Sequence, residues 1–146
     1  MTGQHPNQKN PLTILSLRDG GNIGSPAELA GKKIGVQESD LALFRALLTA
    51  NGLEEEKDNI TVVPVELDPT PLTAGQVDGF MADLTNQSIA LDLAGHEITD
   101  LPFADNGVPY VAETYTVTDQ YLAENRDLLE ALLTAEVKGW TGCRRS

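Results

Sequence analysis

A single cysteine, Cys143, stands near the end of a 146-residue chain, so no intrachain disulfide can form and no Cys-rich metal site can be drawn. Histidine is equally scarce. His5 and His96 lie far apart, and neither belongs to a ligand-spaced motif such as His-Glu-x-x-His, so no zinc site or other metal is expected. Positive charge is in short supply: ten Lys and Arg against 22 Asp and Glu leave a net charge of -12. That balance repels a phosphate backbone, and nucleic acid is not an expected partner. Long apolar runs are missing as well. The longest span four or five residues, against the ~20 needed to cross a bilayer as a helix. The lead Met1-Thr-Gly-Gln-His-Pro-Asn-Gln-Lys-Asn10 lacks both the basic start and the apolar core of a secretory signal. The signal of an exported parent protein is therefore expected outside this chain.

What is present reads as one globular domain of ordinary size. Residues 1 to 10 carry no periodicity and read as a flexible lead. Leu12-Thr-Ile-Leu-Ser-Leu17 fits a strand, ended by the turn-rich Arg18 to Gly24. Ser25-Pro26-Ala27-Glu28 is a helix start: Ser25 can accept from an orphan amide, Pro26 fits the first helical position, and Glu28 can reach back. Lys32 to Val36 follows as a short strand. Leu41, Phe44, Leu47 and Leu48 share one helical face, and Asn51-Gly52 supplies a left-handed terminator. Ile60 to Val65 reads as a strand whose Pro64 argues for an edge or a bulge. Asp68 to Gly75 reads as a Pro-started helix, Val77 to Ala82 as a buried strand, and Thr85 or Asn86 as the cap of a helix running to Gly95. Strands alternating with helices from Lys33 to Gly95 predict a mostly parallel α/β sheet with right-handed crossovers. Beyond it come Glu97 to Leu101 and a loop containing Asn106-Gly107. The alternation of Tyr110 to Val117 suits a strand. A final helix from about Ala123 to Trp140 aligns Leu129, Leu132, Leu133, Val137 and Trp140 in one stripe that needs a partner surface.

No nucleophile and base are spaced for catalysis, and the glycine clusters Gly20-Gly21-x-x-Gly24 and Gly31-Lys32-Lys33 make no phosphate loop. No catalytic residue and no cofactor are expected. The informative positions are the junctions where strands hand over to helices, because ligands of open α/β sheets bind beyond the carboxyl ends of the strands. Gln37-Glu38-Ser39-Asp40 follows one strand and Asp83-Leu84-Thr85-Asn86-Gln87 another. Both offer hydrogen-bonding side chains and free helix amides at one sheet edge, although Ser39, Asp40, Thr85 and Asn86 can equally be helix caps. Tyr110 and Tyr115 could stack on a planar ligand or serve as packing. The candidate ligand-facing set is Gln37, Ser39, Asp40, Asp83, Asn86 and Tyr110.

Taken in order, Asn10-Pro-Leu-Thr-Ile-Leu-Ser-Leu17, Ser25-Pro-Ala-Glu-Leu-Ala-Gly-Lys-Lys-Ile-Gly-Val-Gln37, Leu72-Thr-Ala-Gly-Gln-Val-Asp-Gly-Phe80, Leu84-Thr-Asn-Gln87 and Leu93-Ala-Gly95 carry a family resemblance. Tyr121-Leu-Ala-Glu-Asn125 and Lys138-Gly-Trp140 extend it over roughly residues 10 to 140. The chain resembles the substrate-binding proteins of ABC importers, in the branch of the thiamine-pyrimidine-precursor and sulfonate or nitrate binders. The resemblance implies a type II periplasmic-binding-protein fold, in which two α/β lobes close on a ligand and a membrane permease reads the closed form. It implies that residues 11-117 are the second lobe with its hinge crossings, and that 118-146 are a helical segment of the first lobe and a tail. It further implies an extracytoplasmic parent, periplasmic or lipid-anchored, capturing a small planar nitrogen heterocycle such as a thiamine pyrimidine precursor, or a related small solute. Two alternatives share this reading: a pyrimidine-precursor biosynthetic enzyme of the same superfamily, whose cysteine-rich segment has no counterpart here, and a stand-alone ligand-sensing lobe. With the rest of the first lobe missing, the C-terminal stripe is expected to seek a second copy of the chain.

Overall fold

The computed structural model describes residues 10-110 and 115-143, which belong to two compact units divided after Tyr110. The first unit holds β1 (Leu12–Leu17), β2 (Lys33–Val36), β3 (Thr61–Pro64), β4 (Gly79–Asp83) and β5 (Ile98–Pro102). They form one five-stranded sheet in the order β3-β2-β4-β1-β5. α1 (Leu41–Ala50), α2 (Thr70–Thr73) and α3 (Gln87–Leu93) make the crossovers. β2 pairs in parallel with β3 and with β4, whereas β1 runs antiparallel to both β4 and β5. Four strands thus share one direction and β1 alone opposes them. The α/β sheet flanked by helices is the one the alternation predicts, but where a mostly parallel sheet is expected only β2–β3 and β2–β4 pair in parallel, because β1 inserts in the opposite direction. Pro64 closes β3 at the sheet edge, where its missing N–H interrupts no ladder.

The strands read as nearly continuous apolar runs because both sheet faces are covered. Side chains alternate between two cores. Ile14, Ile34, Val36, Met81 and Leu101 face Phe44, Leu47 and Leu48 of α1, while Leu15, Phe80 and Ala82 face Leu72 of α2 and Leu91 of α3. The C-terminus of α1 is set by Gly52, whose φ of 69° is left-handed, so the turn bond from Leu53 N to Leu48 O can close.

Several elements differ from expectation. Ser25 to Glu28 introduces a single turn, as expected, but of 3-10 type, Pro26–Leu29. Glu28 reaches back as expected, its Oε2 accepting from Gly24 N and Ser25 N at 2.8 Å each, but the Ser25 hydroxyl donates to the same oxygen at 3.1 Å. These bonds, that from Gly24 first, lower the Glu28 pKa. Ile98–Pro102 is a strand. Of the strand expected over 110-117, residues 111-114 lie outside the described residues, and Tyr110 and 115-117 have no regular structure.

The second unit contributes two helices where the stripe suggests one, α4 (Asp119–Glu124) and α5 (Arg126–Cys143). Thr118 caps α4, its hydroxyl accepting from Tyr121 N at 3.1 Å. Asn125 ends it, with φ -129° and its side chain donating to Tyr121 O at 3.2 Å. Along α5, Leu132, Leu133 and Val137 are 47%, 40% and 41% exposed, and Leu129 is half-buried. The side chain of Trp140 lies outside the description. Among the described residues no helix is long and apolar enough to cross a membrane.

Candidate functional site

From β2 the chain crosses through α1 to β3 on one side, then returns through α2 to β4 on the other. Between β2 and β4 the order of strands therefore reverses, and in open α/β sheets the loops beyond the carboxyl ends diverge at such a switch point and leave a crevice. Register fixes the neighbours there: Ile34 pairs with Gly79 and Gly35 with Phe80, which brings Gln37, just after β2, beside the end of β4 at Asp83. Two more segments reach this edge because β1 opposes its neighbours. β1 enters it at Leu12, opposite Asp83, and β5 leaves it at Pro102, opposite Thr13.

Asn10, only 2% exposed, joins these two ends of the unit: its Oδ1 accepts from Leu12 N and its Nδ2 donates to Val108 O. The chain then arrives at Tyr110, which is half-buried. Burial raises the Tyr110 phenol above its ordinary pKa, and the nearby carboxylates of Asp40 and Asp83 raise it further because a second negative charge beside them is disfavoured. Asp40, Asp83 and Tyr110 thus stand within electrostatic reach of one another, although they are far apart in sequence.

The candidate residues divide by what their side chains already do. Gln37 is 8% exposed, and its Nε2 donates to Glu66 O and Met81 O, both at 3.2 Å, tying the chain beyond β3 to β4 beneath the crevice. Asp83 is half-buried; its Oδ1 accepts from Thr85 N at 2.7 Å and from the Thr85 hydroxyl, while Gln87 Oε1 accepts from Asp83 N at 3.0 Å. Asp40 and Asn86 occupy the N-cap positions of α1 and α3, yet neither side chain makes a cap bond. Ser39 is exposed in the 3-10 turn Glu38–Asp40. Among the described residues, the side chains of Ser39, Asp40 and Asn86 have no hydrogen-bond partner. Tyr115 belongs to the second unit and is 61% exposed.

Sequence reasoning missed Asn10 and the orienting part of Thr85 and Gln87. A signal existed for Thr85: Asp83-Leu-Thr85 has the Asp-x-Thr spacing of an Asx turn, and Asp68-Pro-Thr70 makes the same turn beyond β3, with Thr70 N donating to Asp68 Oδ1 at 2.9 Å. Among the described residues no group of three or more metal-ligating side chains comes together.

This fold is shared with known proteins. The chain superposes on the periplasmic aliphatic sulphonate binding protein SsuA from Escherichia coli with a TM-score of 0.73 at 18% identity, covering 96% of this chain and 48% of that one. An ancestral arginine-binding protein bound to arginine gives a TM-score of 0.58 at 18% identity, covering 90% of this chain and 58% of that one. An arginine transport-system periplasmic binding protein from Legionella pneumophila gives 0.51 at 20% identity, with 92% and 59% covered. The chain therefore spans about half the length of SsuA and under two thirds of the other two. No curated protein sequence matches it. The profile described as NMT1/THI5 like, however, matches residues 5-145, nearly the whole chain, and the chain belongs to the NMT1/THI5-like family.

Proposed function

We propose that this chain is the second-lobe part of the solute-binding component of an ABC importer, acting outside the cytoplasm with a membrane permease. It binds rather than transforms its ligand. The ligand is a small organic solute, and a planar nitrogen heterocycle of the thiamine-pyrimidine-precursor kind suits the half-buried ring of Tyr110 beside the crevice. One observation carries the reading. At the switch point between β2 and β4, Ser39, Asp40 and Asn86 hold side chains with no partner among the described residues, as donors and acceptors awaiting a ligand do.

The test is chemical-shift mapping of the chain with 4-amino-5-hydroxymethyl-2-methylpyrimidine at millimolar concentration. Backbone amides of 37-40 and 83-87 should shift together with the Tyr110 ring. Shifts confined to the opposite end of the sheet, around Arg18 and His96, would exclude the crevice. Outside the lobe, the exposed Leu132 and Leu133 of α5 support self-association through that helix. Sedimentation should show a dimer that Leu132→Glu with Leu133→Glu dissociates; a strict monomer at high concentration sinks this part of the proposal.

The neighbours named above include a binder of an anionic sulphonate and a binder of cationic arginine. The fold therefore leaves the sign of the ligand's charge open, and side chains must set it.

A further inference from the structure

We infer that the solute held at the β2/β4 crevice is a cation, or presents a cationic group to this lobe, because the described basic side chains of the lobe all lie away from that edge while carboxylates line it. This inference rests on the crevice being the binding site.

The segregation follows from topology. The described segments at the carboxyl edge are residues 10-11 before β1, 37-40 after β2, 65-69 after β3, 83-87 at the end of β4 and 102-110 at the end of β5. They contain Glu38, Asp40, Glu66, Asp68, Asp83 and Asp105, and no Lys, Arg or His. Described cations in this unit are Arg18, Lys32, Lys33, Arg45 and Lys57. Arg18 follows β1, which runs against its neighbours and so ends at the other edge, where Arg18 N donates to Glu97 O at 2.9 Å just before β5. Lys32 and Lys33 lie at the start of β2, bonded through their main chain to Thr61 and Asp78 at the starts of β3 and β4. Lys57 sits in the loop leading into β3, and Arg45 turns to that same loop, its Nε bonding Glu55 Oε1 at 2.8 Å.

A ligand entering the crevice therefore meets Asp40 and Asp83 with no cation close by among the described residues of this lobe. Walls of one sign concentrate ligands of the opposite sign and repel those of the same sign. Tyr110 is raised first by burial and then by Asp40 and Asp83, which sets both carboxylates within electrostatic reach of its hydroxyl. The carboxylates also remain available. Asp40 has no partner among the described residues, and Asp83 engages through Oδ1, leaving Oδ2 for a ligand N–H. A protonated amidine, aminopyrimidine or guanidine offers the planar N–H donors that such oxygens accept.

The test uses three planar probes of nearly one shape, benzamidine (cation), benzamide (neutral) and benzoate (anion), titrated into the full chain at pH 7 and low salt and read by amide shifts at 37-40 and 83-87. Benzamidine should bind there roughly tenfold more tightly than benzoate, with benzamide between, and added salt should shrink the gap. Asp40→Asn and Asp83→Asn, which keep an acceptor oxygen, should each reduce the benzamidine preference several-fold while the remaining amide spectrum stays unchanged. Benzoate binding at these amides as tightly as benzamidine overturns the cationic assignment and leaves the crevice as the site. If none of the probes shifts these amides, both the site and the assignment fall.

Discussion

At the residue scale, Gln37 and Asn86 follow strands that end side by side, and residue type alone ranks them equally. The structure separates them by what their amides already touch. Removing the Gln37 carboxamide strands the buried carbonyl of Met81 and frees that of the exposed Glu66, so Gln37→Ala should destabilise the chain by about 1-3 kcal/mol in urea unfolding. Asn86 makes no cap bond, so Asn86→Ala should leave the unfolding midpoint unchanged and weaken ligand binding by about 1-3 kcal/mol instead. If Asn86→Ala unfolds markedly earlier and binds normally, Asn86 is only a cap. The difference was not legible in sequence because the carbonyls that engage Gln37 lie 29 and 44 residues away. Tyr110 gives a second check. Its pKa is raised in the fold, by burial first and then by Asp40 and Asp83, so its contribution to stability is present below the unfolded value near 10 and is lost as pH rises through the higher folded value. Absorbance titration of the chain against Tyr110→Phe should show one phenol ionising above pH 10, and Asp40→Asn should bring it down. A Tyr110 titration that does not respond to Asp40→Asn removes the proposed proximity.

At the element scale, the parallel core was legible because covered strands leave apolar runs and the intervening helix α1 shows its own 3.6-residue face. Two features were not. The reversed direction of β1 depends on which strands it inserts between, β4 and β5, and nothing within Leu12–Leu17 encodes that. β5 was obscured because it carries Asp100 inward, where Asp100 Oδ1 accepts from Thr13 Oγ1 at 3.0 Å and Ser88 Oγ at 2.8 Å. A half-buried acid satisfied by two hydroxyls breaks the expected alternation without breaking the strand. Gly79 shows how tightly the strands are set. A Cβ there would stand 2.8 Å from Ile14 Cγ2, 2.9 Å from Ile34 Cδ1 and 3.0 Å from Ile23 Cδ1. Gly79→Ala should therefore cost about 1-3 kcal/mol by overpacking. Because β4 carries Asp83 at its end, the same substitution should disturb the amides of 83-87 in the NMR spectrum. An unchanged midpoint would mean that the three isoleucines repack freely and that the crevice rests on a softer core.

At the scale of the whole molecule, the question is what one lobe can do alone. The chain covers 48% of SsuA, and its crevice lies within a single α/β unit. Binding pays for lost translational and rotational freedom once, whatever the number of contacts that offset it. A site that supplies contacts from one side offsets less of that cost, and it also leaves the ligand in contact with water, where each charged pair is screened. If the two-lobe reading is right, the isolated chain should bind a planar nitrogen base with a Kd weaker than about 1 μM, and the weakness should lie in a fast off-rate because nothing closes over the ligand. Charge steering by Asp40 and Asp83 operates before contact, so the on-rate should stay high and fall with added salt. Calorimetry together with NMR line-shape analysis measures both quantities. One-to-one binding with a submicromolar Kd and slow release would show that this chain makes a complete site by itself, and would favour the stand-alone sensing lobe over the transport component.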